Sequence, residues 1–214
     1  MKKLIIIGTG GMGRETAWLA DRINLKEKTY DEISFMDDNK EIIGKEINGH
    51  KVIGTTDDVE KYPDYYYVCA IGLPRIREQV IKKIKGKLKD IKFETLIDPT
   101  AQLSPYIEIG EGSIICSGCL LTVNIKIGEH VILNNNCTVG HDAVIKDYTI
   151  LYPAVNLSGN TTTGRGCEMG TGMQVIQGKT VGDNVILGAG AVVVRDIEDN
   201  CTAVGCPAKP IKFH

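Results

Sequence analysis

The chain of 214 residues is long enough to bury one sizeable core or two small ones. Its formal net charge of -2 gives no electrostatic reason to expect a nucleic acid or an anionic membrane as partner. No apolar stretch approaches the roughly 20 residues that span a bilayer, and the apolar run near the N-terminus is too short for a signal peptide, so we expect a cytoplasmic protein.

The first 96 residues alternate between short apolar runs and helical segments. LIIIG at 4–8 predicts a buried strand, and the glycines after it open a helix. EISFMDD at 32–38 and YYYVCAIG at 65–72 predict two more strands, and residues 77–88 predict a second helix. Strands and helices in this alternation predict an α/β, Rossmann-like domain with a parallel sheet over residues 1–96.

A glycine-rich segment follows the first strand. GTGGMG at 8–13 matches G-x-G-x-x-G between a strand and a helix, where glycines let the backbone approach a phosphate. Asp37 and Asp38 end the second strand, where an acid would meet a ribose or a base edge. This pattern favours nucleotide or nucleotide-sugar binding. Two alternatives stay open: NAD, for which about 95 residues leave little room, and a purely structural tight turn.

From residue 107 to residue 196 the sequence divides without a gap into 15 blocks of six residues. The third residue of every block is aliphatic or Met, with the single exception of Thr163. Glycine is the fourth residue in seven blocks, which we interpret as tolerance of unusual φ and ψ where the chain bends. A period of six with one inward aliphatic predicts a triangular solenoid with three strands per coil. We place this domain at 97–196, followed by a tail at 197–214.

Two neighbouring polar residues stand out in the block CTVGHD. His141 is its fifth residue, and alternation with the inward third position predicts an exposed coil corner. Imidazoles titrate near neutral pH, which suits removal of a proton, and Asp142 can support the imidazolium that forms. The alternative is a solvated turn histidine. The repeat contains one further histidine, His130, so a solenoid metal site built from three histidines is not favoured.

Seven cysteines form no secreted-type framework, and their number is odd. Cys116 and Cys119 are spaced as C-x-x-C, but a second pair at ligand spacing is absent from the sequence. We therefore predict that both pack inside the repeat and that the protein holds no metal. Cys137, four residues before His141, is interpreted in the same way rather than as a nucleophile.

These features together resemble one known family. The gapless repeat, the G-H-D triplet at 140–142 and the G-C-P-A-K segment at 205–209 resemble the bacterial left-handed β-helix sugar acetyltransferases. The glycine loop and F-M-D-D at 35–38 look like the sialic acid O-acetyltransferases and the UDP-4-amino-sugar N-acetyltransferases. The resemblance covers essentially the whole chain. It implies a homotrimer in which acetyl-CoA, the co-substrate, lies between adjacent solenoids, with no permanently bound cofactor.

The resemblance also implies roles for particular residues. His141 would be the general base, and Asp142 the acid that raises its basicity. The nucleotide-sugar would contact Gly10, Gly11, Met12, Asp37, Asp38 and Gly72. Acetyl-CoA would contact Ile150, Gly159, Thr171, Ala189 and Lys209. Two positions at which relatives carry histidine differ here, Met12 and Ile150, which bears on substrate identity and on one contact near the thioester.

The resulting expectation is N-acetylation of a nucleotide-linked sugar in bacterial surface glycan biosynthesis. The sugar amine would attack the thioester directly, without an acyl-enzyme. Two alternatives stay open: an O-acetyltransferase acting on sialic acid or another sugar, and a non-catalytic trimeric solenoid that only binds ligands. Apolar residues expected on the outward faces, Leu120, Val123 and Val155, favour association with further copies of the chain.

Overall fold

The computed structural model describes residues 1–214. It divides into two compact units, Met1–Pro99 and Thr100–His214, whereas the sequence predicts the first domain at 1–96. None of its helices combines the length and the apolar character needed to cross a membrane.

The first unit is an α/β domain with a six-stranded sheet. Its two α-helices are α1 (Gly11–Lys26) and α2 (Pro74–Lys87), and 3₁₀ turns lie at Lys40–Ile42 and Thr56–Lys61. Its strands are β1 (Lys2–Ile7), β2 (Tyr30–Met36), β3 (Glu46–Ile47), β4 (His50–Gly54), β5 (Tyr66–Cys69), β6 (Lys92–Phe93) and β7 (Leu96–Ile97).

The six strands of this sheet run in the order β3-β4-β2-β1-β5-β6. All of the pairs are parallel except β3 with β4, so the predicted parallel sheet is confirmed. The central strand β1 is buried along Leu4–Ile7, as its continuous apolar run indicated. The β3–β4 hairpin was not predicted. Its turn places Asn48 and Gly49 at φ of 49° and 84°, and the Asn-Gly pair is itself a hairpin signal.

The second unit is a parallel β-helix of short strands. They are β8 (Gln102–Leu103), β9 (Ile107–Ile109), β10 (Ile114–Ile115), β11 (Leu120–Leu121), β12 (Ile125–Ile127), β13 (Ile132–Leu133), β14 (Thr138–Val139), β15 (Val144–Ile145), β16 (Ile150–Leu151), β17 (Asn156–Leu157), β18 (Thr162–Thr163), β19 (Glu168–Met169), β20 (Gln174–Val175), β21 (Thr180–Val181), β22 (Ile186–Leu187), β23 (Val192–Val193), β24 (Cys201–Val204) and β25 (Lys209–Phe213).

Each strand of the repeat pairs with the strand three blocks further along the chain. Ile132, for example, lies beside Ile150, and Thr138 beside Asn156. The strands therefore form three faces: β10-β13-β16-β19-β22, β8-β11-β14-β17-β20-β23 and β9-β12-β15-β18-β21. The triangular solenoid with three strands per coil is confirmed.

The third residue of each block fills the interior, as predicted. Leu133, Leu151 and Met169 stack in successive coils with no exposed surface. The first residue of most blocks also points inward. Val155 is such a residue, and the prediction that it lies on an outward face is wrong, because its side chain is fully buried. Leu120 and Val123 are outward as predicted, with exposed fractions of 42% and 39%.

The coil corners differ from the prediction made for the fourth residue of each block. The left-handed backbone belongs to the sixth residue of the block, as in Asn124, Asp142 and Asn160 at φ of 56°, 58° and 56°. The fourth-position glycines instead permit close contact between coils. A β-carbon on Gly140 would come within 2.5 Å of the backbone nitrogen of Gly159. The interpretation of unusual φ and ψ at the fourth position is therefore wrong.

The chain after the last coil forms two strands. β24 pairs in parallel with β22, and β25 turns back antiparallel to β24. The tail thus extends one face of the solenoid beyond the repeat, and Lys209 lies at the start of its exposed edge strand.

Candidate active site

One edge of the sheet in the first unit gathers the predicted nucleotide-binding residues. β1, β2, β4 and β5 are parallel neighbours, so the loops that follow them meet at their carboxyl ends. Thr9, after β1, donates from its backbone nitrogen and its hydroxyl to Asp37, after β2, at 2.9 and 2.6 Å. A β-carbon on Gly8 would lie 3.4 Å from Ile71, beside Gly72 after β5.

The glycines of the loop fall into two groups. Gly8 has a φ of 97°, and a β-carbon on Gly13 would lie 2.8 Å from the carbonyl carbon of Gly8 and closer to its oxygen, so the fold itself requires both. A β-carbon on Gly10 or Gly11 would meet nothing within 4 Å. These two positions border open space at the N-terminus of α1, where backbone N–H groups favour an anion.

The two aspartates after β2 are held by the protein's own groups. Burial acts to raise the pKa of Asp37, but hydrogen bonds from Thr9 and from the backbone of Asn39 outweigh it and leave that pKa lowered. Asp38 accepts from the backbone and hydroxyl of Thr56 at 2.9 and 2.7 Å. Both carboxylates therefore fix the loops around the glycines, a role that the sequence did not reveal.

The loop that contains Gly72 is fixed by a buried cation. Arg77 has no exposed surface and donates from Nη1 to the carbonyl oxygens of Ile71 and Gly72 at 2.6 and 2.7 Å. The carbonyl groups are thus oriented into the protein. Arg77 was not singled out from the sequence, since it lies in an amphipathic helix where an arginine is ordinarily exposed.

A depression of about 330 Å³ opens beside the glycine loop, and it is lined by Gly11, Arg14, Glu15, Trp18 and Asn48. The Arg22 guanidinium lies 4.9 Å from the centre of the Trp18 ring, which is 54% exposed. Sequence reasoning missed Arg14 and Trp18. Their spacing of four on α1 places them on one helix face and was the signal that could have found them.

His141 occupies an exposed turn of the β-helix, as predicted. Its side chain is 48% exposed, and its Nδ1 lies 2.8 Å from Oδ2 of Asp142, which is 46% exposed. The other oxygen of Asp142 accepts from Nδ2 of Asn124 at 3.1 Å. Hydrogen bonds from His141 first, and then from Asn124, lower the pKa of Asp142. A carboxylate at Nδ1 favours the tautomer that leaves Nε2 free to accept a proton.

Gly159 lies directly against the His141 ring, one coil further along. A β-carbon on Gly159 would come within 2.8 Å of Cδ2 and closer to Nε2 and Cε1. The missing side chain leaves room for the imidazole and for whatever approaches Nε2. We call the turns at 122–124, 140–142 and 158–160 the histidine corner.

The remaining residues predicted to contact acetyl-CoA lie elsewhere on the solenoid. Thr171 and Ala189 share a second corner, formed by the turns at 170–172 and 188–190, which follow β19 and β22 rather than β14 and β17. Ile150 is in β16 with 1% of its surface exposed, so its side chain is closed to a ligand in this chain. One chain therefore brings His141 and Gly159 together but not Thr171 and Ala189 with them.

The cysteines of the repeat are buried, including Cys116, Cys119 and Cys137. Hydrogen bonding with Cys119, and then burial, raise the pKa of Cys137 far above that of an ordinary thiol, which disfavours the nucleophilic thiolate. On a third corner, Glu111, Glu129 and the buried His130 place ligand atoms within 4.8 Å of one another, an arrangement that also occurs without a metal. That group lies away from His141.

Comparison with known proteins places this geometry in a family. The PglD N-terminal domain family matches residues 3–84. GDP-perosamine N-acetyltransferase of Escherichia coli O157:H7 is 27% identical over 214 residues, covering 97% of this chain and 95% of the relative. The acetyltransferase domain of PglB from Neisseria gonorrhoeae FA1090, solved with acetyl coenzyme A, is 38% identical with a TM-score of 0.90, covering 98% of this chain and 99% of that one. The chain belongs to the hexapeptide-repeat acetyltransferase family.

A second solved relative contains both CoA and a nucleotide-linked sugar. Perosamine N-acetyltransferase from Caulobacter crescentus, in a variant with one histidine replaced by asparagine, was solved with CoA and GDP-perosamine. It is 28% identical with a TM-score of 0.87, covering 99% of this chain and 98% of that one. The family assignment confirms the predicted fold class and the prediction that the chain is an acetyltransferase, and it rejects the non-catalytic solenoid.

Proposed function

We propose that the chain transfers the acetyl group of acetyl-CoA to the amino group of a nucleotide-linked sugar. The observation that carries this proposal is the His141 imidazole. It is exposed at a coil corner, its Nδ1 is bound by Asp142, and its Nε2 faces the space left by Gly159. A base held in this tautomer can take a proton from an amine as the amine attacks a carbonyl carbon.

The chemical step is a direct acyl transfer. The amine nitrogen attacks the thioester carbonyl and forms a C–N bond, and Nε2 of His141 takes the proton that the nitrogen loses. The tetrahedral intermediate then collapses, the C–S bond breaks, and the thiolate of CoA leaves and takes up a proton. Asp142 stabilises the imidazolium during this cycle because its carboxylate is negatively charged at neutral pH and lies 2.8 Å from Nδ1 of His141. The buried thiol of Cys137 gives no support to an acyl-enzyme.

The nucleotide end of the acceptor fits the first unit. Gly10 and Gly11 leave the N-terminus of α1 open, which suits a diphosphate, and the neighbouring depression offers Arg14 and the exposed Trp18. The resemblance to the UDP-4-amino-sugar N-acetyltransferases implies a uridine nucleotide, whereas two relatives act on or bind GDP-perosamine. We place the reaction in the cytoplasm, where acetyl-CoA and nucleotide-sugars are made.

The acceptor atom is nitrogen in this proposal, since two relatives that match both units are N-acetyltransferases by name. O-acetylation of sialic acid or another sugar is the alternative that the same histidine could catalyse. The assay below distinguishes the two, because the acetylated product is an amide in one case and an ester in the other.

We further propose that the active enzyme is a homotrimer. Among the residues predicted to contact acetyl-CoA, Gly159 lies at the histidine corner and Thr171 and Ala189 lie at the second corner. The face that contains β14 and β17 separates these two corners. A symmetry-related copy that places its second corner against the histidine corner would unite them in one groove. The exposed Leu120 and Val123, near the histidine corner, supply apolar surface for that contact. Light scattering that finds a monomer under turnover conditions contradicts this assembly.

The activity is tested by incubating the protein with acetyl-CoA and a panel of acceptors. UDP-4-amino-sugars, GDP-perosamine and sialic acid each enter with a thiol reagent that detects released CoA, and mass spectrometry identifies the product. We expect rapid thiol release with one class of nucleotide-linked amino sugar. Rapid release with sialic acid alone, or release that persists unchanged in a His141→Asn variant, contradicts the proposal.

A further inference from the structure

Asn124 forms a side-chain hydrogen bond with Asp142, the partner of His141, in the next coil. Its Nδ2 donates to Oδ1 of Asp142 at 3.1 Å, while Oδ2 of the same carboxylate lies 2.8 Å from Nδ1 of His141. Both carboxylate oxygens are therefore occupied, one by each neighbour. The three side chains form a single chain of hydrogen bonds along the histidine corner.

Backbone conformation aligns these side chains. Asn124 and Asp142 hold the same sixth position in blocks that are three apart, and both have left-handed φ, of 56° and 58°. Their side chains consequently leave the corner in parallel directions, one above the other. Asparagine suits this place because it tolerates the left-handed region and carries an N–H donor, whereas a glycine there would supply no donor.

We infer that Asn124 is a positioning residue of the acetyl transfer, which holds the Asp142 carboxylate in the rotation that binds Nδ1 of His141. Asp142 is 46% exposed, so without a second partner its carboxylate is free to rotate and to bind water instead. When the carboxylate rotates away from Nδ1, the His141 imidazole can adopt the other tautomer. In that tautomer Nε2 carries the proton and cannot act as a base. This role rests on the proposed function of His141.

The kinetic test uses Asn124→Gly, which removes the amide and keeps the left-handed backbone. The variant should lose about fivefold in kcat, the effect of one ordinary hydrogen bond, with the KM for acetyl-CoA unchanged. The matched control is Asn184→Gly. Asn184 is also a left-handed sixth residue, at φ 55°, and its Nδ2 donates to Asn200 of the following turn at 3.0 Å. The control should retain wild-type kcat.

A double variant separates positioning from general loosening of the fold. If Asn124 acts through Asp142, adding Asn124→Gly to Asp142→Asn should cost nothing further. The inference is overturned if the loss of kcat in the double variant equals the product of the two single losses. It is also overturned if Asn184→Gly loses as much kcat as Asn124→Gly.

Nitrogen NMR of the free protein tests the same inference without any turnover. The His141 ring signals are assigned by their disappearance in His141→Asn. Wild type should hold the proton on Nδ1, and Asn124→Gly should show a mixture of tautomers. An unchanged tautomer in Asn124→Gly overturns the inference. A clear change in a protein that acetylates no acceptor refutes the proposed function, and it then shows only that Asn124 sets the tautomer of His141.

Discussion

The histidine corner and the sheet edge that carries Gly10 and Gly11, which we call the glycine edge, leave space for a ligand in different ways. At the corner, polar side chains stand outside a repeat whose apolar residues face inward, and His141 and Asp142 hold one another. At the sheet edge of the first unit, the open positions Gly10 and Gly11 have no side chains, and the aspartates nearby bind the protein's own backbone. Reactive groups belong to the corner, while the edge presents backbone.

This difference predicts how each region responds to substitution. Loss of a side chain should harm the corner through kcat, since the groups removed take part in the reaction. Gain of a side chain should harm the edge through KM for the nucleotide-sugar, since it fills space that a ligand needs. The experiments below apply both kinds of change.

The largest effect is expected for His141→Asn. Asparagine keeps a polar side chain but cannot take a proton, so kcat should fall by roughly 10²- to 10⁴-fold. The KM for acetyl-CoA should change little, because two of the residues predicted to contact acetyl-CoA, Thr171 and Ala189, lie at the second corner and keep their surroundings. Steady-state kinetics with a saturating acceptor provide the measurement. Near-wild-type kcat in this variant would leave His141 as a surface residue.

The next effect separates two glycines that are two residues apart. Gly13→Ala forces a β-carbon onto the carbonyl group of Gly8, so it should lower the free energy of unfolding by about 1–3 kcal/mol. Gly11→Ala meets open space in the first turn of α1 and should leave stability equal or raise it by about 0.5 kcal/mol. Denaturant unfolding measures both.

The Gly11→Ala variant also tests whether the nucleotide-sugar binds at the glycine loop. Gly11→Ala should raise the KM for the nucleotide-sugar by about tenfold while kcat stays close to wild type, as for loss of binding shared by substrate and transition state. An unchanged KM in Gly11→Ala would mean that the nucleotide does not approach the glycine loop. The stable variant therefore reports on binding, and the unstable one reports on the fold.

The repeat could be predicted from the sequence because its signal is long. An inward aliphatic at the third position of nearly every block, such as Leu133 and Leu151, defines the faces. His141 lies outside because a turn follows β14, since strand alternation alone would place a fifth residue on the same side as the third. The left-handed backbone was expected at the fourth residue rather than at the sixth, since glycine is common at both positions and its two uses look alike in a sequence. Gly140 is required by the backbone of a neighbouring coil, whereas Gly172, a sixth residue, serves a left-handed φ of 69°. Only the packing of one coil on the next distinguishes them.

The contacts of polar side chains were harder to predict. Asp37 and Asp38 were assigned to the ligand because acids at the end of a second strand often bind a ribose. The structure shows that Thr9 and Thr56 each donate to one oxygen of these carboxylates, and such long-range hydrogen bonds leave no periodic signal in the sequence. The Asn124 contact could have been found, because Asn124 precedes Asp142 by three blocks, which is one coil.

A smaller kinetic effect is expected for Gly159→Ala. The added methyl group meets the tip of an exposed imidazole, which can move aside, so the free energy of unfolding should stay within about 0.5 kcal/mol of wild type. The displaced ring would lose its alignment, and kcat should fall by about tenfold. Gly140→Ala is the contrasting variant, because its methyl group meets backbone and should destabilise the solenoid. Equal stability losses in the two variants would contradict this distinction.

The smallest effect is expected in the contribution of Asp37 to the free energy of unfolding at low pH. Its folded-state pKa is lowered, so the folded protein binds fewer protons than the unfolded chain, whose aspartates titrate near about 3.9. The stability that Asp37 contributes is therefore complete above about pH 4–5 and is lost as the pH falls through its lowered pKa. Since the carboxylate is partly exposed, the difference between wild type and Asp37→Asn should be at most about 1 kcal/mol at pH 7 and should shrink at pH 3.

Asp37 should also affect the acceptor, but through Thr9. If the carboxylate only fixes the glycine loop, Thr9→Val should reproduce part of any rise in nucleotide-sugar KM seen in Asp37→Asn, since both remove the same 2.6 Å hydrogen bond. KM for acetyl-CoA should be unaffected in both variants, because its predicted contacts lie in the second unit. A large rise in Asp37→Asn with none in Thr9→Val would show that the carboxylate meets the nucleotide directly. The edge would then resemble the histidine corner, with a side chain rather than backbone in contact with substrate.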